Sequence, residues 1–239
     1  MKHHSAARRQ GGFTLVEIAI VLMIVGLLIG GILRGQELIQ SARVRNIIDQ
    51  KSAIQTAHIG FLDRYRMLPG DLTATQVLTI GNGVVASTGA GDGQLDLLTE
   101  STLYFQNLTA AGFISCGACM TVTAAVAPIA PTIDNSPINV YGDFLTFSNR
   151  SSDNTGATGW FDVTSGINNL ILRTGGTIPS QVLAEADRKA DDGLPGTGQL
   201  RYGAGAASMA ICTPGLAAAT PAARWANPSQ ANCQGAWLF

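Results

Sequence analysis

Three kinds of residue in this sequence could do chemistry: aspartates in glycine-rich turns, four cysteines, and one glutamate, Glu17, inside a long apolar run. Asp187, Asp191 and Asp192 fall in VLAEADRKADDGLPGTG, which reads as a short helix entering an acidic turn. Carboxylate oxygens so gathered suit a hard cation such as calcium, and Asp and Gly as turn formers explain the same letters. GAGDGQLD offers a thinner pair, Asp92 and Asp96. It lacks the further carboxylates and the distal glutamate of an EF-hand loop, so a solvated turn is the simpler reading. Structural calcium is therefore the one cofactor these residues raise.

Cys116, Cys119, Cys212 and Cys233 form an even set, compatible with two disulfides in an oxidising compartment. Cys116-Gly-Ala-Cys119 could close a tight local bridge. A redox C-x-x-C would open a helix in a βαβ context, which is not evident, and zinc would need two more ligands. A Cys212–Cys233 bridge would enclose twenty residues. In the entropy model it would restrict the unfolded chain by about 3 kcal/mol. His58 is the only histidine after Gly12, and no G-x-S-x-G, H-E-x-x-H or Walker A pattern occurs. No pair of carboxylates stands out for glycosidase chemistry. The reading is not an enzyme.

The elements that position these residues begin with the apolar run. In RRQGGFTLVEIAIVLMIVGLLIGGILRG, residues 13–33 make 21 positions whose only charge is Glu17. A helix of that length covers the roughly 30 Å hydrocarbon core of a bilayer. Lys2, Arg8 and Arg9 precede it without an acid, so the positive-inside rule leaves residues 1–12 in the cytoplasm. The small pair Gly11-Gly12 precedes the apolar run, where an ordinary secretory signal would have its cleavage site after it. Cleavage there would keep the hydrophobic helix on the mature chain. A charged acid within a span costs roughly 2.5–3.5 kcal/mol and seeks a partner. The new α-amino group of Phe13, on the same chain or a neighbour, would be one. An interfacial Glu17 reaching headgroups is the plainer alternative.

Beyond the run, Ile47, Ile48, Ile54, Phe61, Leu62 and Tyr65 recur near one helical face until Leu68-Pro69-Gly70 stops it. A helix over residues 13–67 would be on the order of 80 Å long. Gly26, Gly30, Gly31 and Gly35 give overlapping G-x-x-x-G spacings that allow close helix approach in lipid. They also weaken a helix by about 1 kcal/mol each relative to Ala, so local unwinding competes. LTESTLYFQNLTAAGFI predicts a core-facing helix with Thr99 as N-cap and Gly112 as stop. Residues 138–149, 167–174 and 198–203 predict strands of a small antiparallel sheet. With 239 residues and formal net charge −1, the chain suits one or two domains. Setting aside the basic leader leaves −4 on the rest. That argues against a nucleic-acid-binding domain held by a broad basic surface.

RRQGGFTLVEIAIVLMIVGLLIGGIL resembles the class III signal of type IV pilins and type II secretion pseudopilins: a basic leader, Gly, then Phe-Thr-Leu-x-Glu opening an apolar helix. The resemblance covers about the first 35 residues. It implies cleavage between Gly12 and Phe13 by a membrane prepilin peptidase, N-methylation of Phe13, and a role for Glu17 in subunit recruitment and register. It implies an α+β, pilin-like fold, in which a long N-terminal helical spine with a transmembrane first half packs on a small antiparallel β-sheet. A C-terminal disulfide loop, here Cys212–Cys233, is common in the family, and calcium sites occur in some pseudopilins. The implied boundaries are a leader at 1–12, a transmembrane and assembly helix at 13–35, a spine at 36–67 and a globular domain at 68–239. The implied partners are the peptidase, identical or related pilin subunits and an inner-membrane assembly platform. The implied locations are the bacterial inner membrane, then a surface pilus or periplasmic pseudopilus. Many major type IV pilins carry a proline in the membrane helix, and this sequence has none. Pilin, secretion pseudopilin, and minor pilin with an adhesive or DNA-uptake role all share the signal.

Overall fold

The computed structural model describes residues 12, 14–81, 83–87, 91–95, 100–116, 119, 131–149, 169–203, 210–215 and 223–239. Leader residues 1–11, Phe13, Asp96 and Thr99 lie outside them. The chain divides into two compact units, Met1–Ala42 and Arg43–Phe239. Helix α1, Leu15–Tyr65, enters both. It stops at Arg66, whose backbone takes a left-handed φ of 56° while its N–H still bonds the Leu62 carbonyl at 2.9 Å. The stop falls just before Leu68-Pro69-Gly70.

In the second unit α1 buries Val44, Ile47, Ile54, Ala57, His58 and Phe61. Steps of three, four and seven keep these on one face of a 3.6-residue period. Five of these side chains join the main core with the sheet: Val44, Ile47, Ile54, Ala57 and Phe61. Among the described residues the sheet has four antiparallel strands: β1 Thr146–Asn149, β2 Leu170–Arg173, β3 Leu200–Tyr202 and β4 Gly235–Leu238. Their order is β1-β2-β4-β3, so the last strand in sequence lies between two earlier ones. The register aligns Phe147 with Leu172, Leu172 with Trp237, and Trp237 with Leu200. This row faces the main core, while Ile171 and Ala236 form a small cluster of their own. The alternation is the period-two consequence of a pleated strand.

The predicted strand at 138–149 narrows to β1, preceded by a single bridge between Ile138 and Phe144. Asn139 organises that approach: its side-chain oxygen accepts from the Tyr141 N–H at 2.7 Å and its amide donates to the Thr174 carbonyl at 2.6 Å. Helix α3, Glu100–Ala110, is the predicted core helix, and Gly112 ends it with φ 78°. Two elements were not anticipated. One is β4. The other is α2, Ala74–Ile80, opened by a capping box in which Thr73 and Gln76 satisfy each other's backbone N–H. Helix α4, Ser180–Ala190, leads into the acidic turn as expected. Between α1 and α2, Gly70 sits at φ 94°, where an added Cβ would lie 2.8 Å from the Glu100 carbonyl oxygen. Only glycine meets both conditions.

Phe61 is fully buried, 4.8 Å from the Tyr65 ring and 5.9 Å from that of Phe113. Phe61→Ala should therefore destabilise the globular unit by about 3–5 kcal/mol, read from the urea midpoint of the detergent-solubilised chain.

Candidate functional site

The N-terminal end is built by a helix cap. The Glu17 N–H donates to Thr14 Oγ1 at 3.3 Å, and the Ile18 N–H donates to the Thr14 carbonyl at 3.4 Å. Thr14 thus occupies the N-cap and Glu17 the third helical position, the Thr-x-x-Glu spacing of a helix start. The first turn is where the helix dipole favours a carboxylate. Gly12 precedes the helix and is exposed. The partner foreseen for Glu17, the Phe13 amine, lies outside the described residues.

From Leu15 to Ile39 the large apolar side chains are exposed: Leu15 is 91% exposed, and Met23 and Leu27 are each 78% exposed. The first buried residue of α1 is Val44. A helix apolar on all sides belongs in lipid or among other helices. By length and composition α1 can cross a membrane. A Cβ added at Gly26, Gly30, Gly31 or Gly35 would meet nothing within 4 Å. The apolar run closes at Arg34, which pairs with Glu37 at 2.7 Å.

The acidic turn after α4 does bring its three aspartates together. One carboxylate oxygen from each of Asp187, Asp191 and Asp192 lies within 4.8 Å of the others, a spacing that one calcium-sized cation could bridge. The chain also supplies its own donors. Asp187, fully buried, accepts from Trp225 Nε1 at 2.7 Å and from the Gly193 N–H at 3.1 Å. Asp191 accepts from the N–H groups of Gln199 and Leu200, and Asp192 from the Leu194 N–H and the Thr197 hydroxyl. Burial pushes the Asp187 carboxyl up to about 6, against the pull of the Trp225 and Gly193 hydrogen bonds, with Asp192 and Asp191 adding repulsion. Lys51 on α1 is the cation already nearby: burial lowers its pKa and Asp191 raises it. Its ammonium lies 5.5 Å from the Trp237 ring centroid and bonds Gln55 Oε1 at 2.7 Å.

Sequence reasoning missed Trp225 and Lys51, because both reach the aspartates across long sequence separations. It also missed Asp71, a buried carboxylate that accepts from the N–H groups of Gly91 and Gly93. Asp71 organises the turn around Asp92. Asp92 itself is exposed and accepts from the Gln94 N–H at 2.8 Å.

Cys212 and Cys233 are bridged, with Cα atoms 5.7 Å apart. Cys116 is bridged to Cys119. The C-terminal loop closed by Cys212–Cys233 contains Trp225, and it is pinned to both ends of α4. Ser180 Oγ at the start donates to the Ala226 carbonyl at 3.0 Å, and Asp187 near the end accepts from Trp225. Ile178 and Cys233 exchange backbone hydrogen bonds at 2.9 and 3.1 Å, which ties the bridge to the segment just before α4.

Residues 7–33 match the family model described as the prokaryotic N-terminal methylation motif. The chain carries the N-terminal methylation motif typical of type IV pilins and pseudopilins. No curated protein and no solved structure matches it. The motif implies processing by a prepilin peptidase and assembly with pilin subunits. With its apolar helix, four-stranded antiparallel sheet and Cys212–Cys233 bridge, this is a prepilin-like protein, and no enzymatic family is indicated. The apolar helix is consistent with membrane anchoring.

Trp225→Phe should keep the ring's packing and remove one donor from a buried carboxylate. The expected loss is about 1.5–3 kcal/mol in urea unfolding. An unchanged midpoint would mean that the Trp225–Asp187 bond contributes nothing net.

Proposed function

We propose that this protein is a structural subunit of a type IV pilin-like filament. The observation that carries the reading is the methylation motif continuing into a helix whose apolar side chains are exposed on every side as far as residue 39. On this reading residues 1–12 are removed by the peptidase and Phe13 becomes the methylated N-terminus. Residues 13–35 anchor the subunit in the inner membrane and then line the filament core. Residues 36–67 form the spine that carries the globular domain at 68–239. An inner-membrane platform lifts the subunit from lipid into the helical bundle, where neighbouring apolar helices replace the acyl chains. The Glu17 carboxylate and the Phe13 amine cancel each other's charge and set the axial register between subunits.

The leading test is intact mass and N-terminal sequence of protein from sheared surface fibres. Abundant chain starting at methylated Phe13 supports the proposal; absence of the chain from fibres sinks it. Gly12→Val should leave the precursor at full mass, since the peptidase requires glycine there. Glu17→Ala should insert and be processed normally yet give few or no filaments. Normal filament numbers in that variant would remove Glu17 from the register role.

A type II secretion pseudopilin is the second reading, favoured by the absence of proline from residues 13–35. Scoring secretion against surface fibres in a deletion strain separates the two. A minor pilin with an adhesive or DNA-uptake role would instead be scarce and sited at the fibre tip. Asp187, Asp191 and Asp192 remain the residues that would hold calcium in either case.

A further inference from the structure

His58 is used by none of the above, and it occupies an unusual place. It lies on the core face of α1, 6% exposed, in contact with three aromatic residues from different parts of the chain. Its ring centroid lies 5.9 Å from that of Tyr104 on α3, 5.6 Å from Phe147 on β1 and 6.0 Å from Phe239. Tyr104 and Phe147 are themselves stacked at 3.9 Å. The Tyr104 hydroxyl lies 3.2 Å from His58 Nδ1, and Tyr104 is fully buried. This contact joins α1, α3, β1 and Phe239 at one point.

A neutral imidazole suits this place and a cation does not. Neutral His58 can accept the tyrosine proton at Nδ1 while Nε2 carries the ring proton. Imidazolium is a donor at both nitrogens, so protonation would leave the Tyr104 O–H without that acceptor and put a charge among aromatic rings. The surrounding elements offer little to offset that charge. Helix α3 carries Tyr104 and, one turn earlier, Glu100, while β1 and β4 contain no charged residue. Along α1 itself, Lys51 is bonded to Gln55, Asp63 pairs with Arg66, and Arg64 lies over the Tyr65 ring. Burial is what lowers the imidazole.

We propose that His58 is an acid-sensitive latch, closed while neutral, that holds the C-terminal half of α1 to α3 and the sheet through Tyr104, Phe147 and Phe239. The proposal goes beyond filament assembly and does not depend on it. Burial pushes the imidazole down to about 4 from 6.5. Because the folded-state value is depressed, the stability it contributes is present above pH 6.5. It is lost as pH falls from there towards 4, approaching about tenfold in the folding equilibrium per pH unit midway.

The test is urea unfolding of the full chain in detergent micelles from pH 7.5 to 4.5, for wild type and for His58→Gln. Glutamine keeps an acceptor for Tyr104 and takes up no proton. The ratio of the two folding equilibria should fall by about fivefold from pH 6.5 to 5.5, with hydrogen-exchange protection factors at residues 44–61, taken relative to intrinsic exchange at each pH, falling in the wild type over the same range. Equal slopes for the two proteins overturn the latch. If His58→Gln does not fold, the wild-type imidazole is titrated by NMR against a free histidine peptide. A ring still neutral at pH 5.5 supports the proposal, and one that titrates with the peptide overturns it.

Discussion

One helix with two surroundings sets the terms for this molecule. Residues 44–61 of α1 turn a single stripe towards the core, and Val44 and Phe61 are fully buried. Residues 15–33 are apolar around the whole circumference, and their large side chains are exposed. Water cannot be the partner of so much aliphatic surface, since burying each large side chain is worth about 1.5–3 kcal/mol. Lipid and neighbouring helices solvate that surface about equally well, so what separates an anchored subunit from an assembled one is packing and charge. This is why a lone carboxylate and an open set of glycines matter more in this segment than they would in a soluble helix.

The globular unit answers the other half of the problem with a small sheet and covalent help. Its strands are three or four residues long, too short to bury much by themselves. The row Phe147, Leu172, Trp237 and Leu200 concentrates the apolar area on the side that receives the buried stripe of residues 44–61. Beyond the sheet, the Cys212–Cys233 bridge and the Trp225–Asp187 bond fasten the C-terminal loop to α4. The acidic turn is therefore part of the same structure as the disulfide loop. Any cation held by its aspartates would act on both.

How much could be read in the sequence depended on how local the cause was. The membrane run and the motif around Gly12 and Glu17 were legible because hydrocarbon thickness and the expense of a buried charge act on contiguous residues. The α1 stripe was legible because a 3.6-residue period persists through Ile47, Ile54 and Phe61. Strand β4 was not, since Gly-Ala-Trp-Leu shows no alternation when three of its four residues are buried. The acidic turn was legible as a cluster, but its donors were not, because Trp225 and Lys51 come from remote segments. The Thr73 and Thr14 caps were present in the letters, as Thr-x-x-Gln and Thr-x-x-Glu. They were passed over because stronger hydrophobic signals stood beside them.

The strand order carries a consequence for biogenesis. Strand β4 lies between β2 and β3, yet it is the last of the four to leave the ribosome. Until residues 235–238 emerge, β2 and β3 cannot be joined, and each presents an open edge to its surroundings. Pairings of such long sequence separation form slowly. By then α1 has long been made and can already occupy the membrane. The sheet is thus completed only after residues 235–238 have been made, when α1 has long been available.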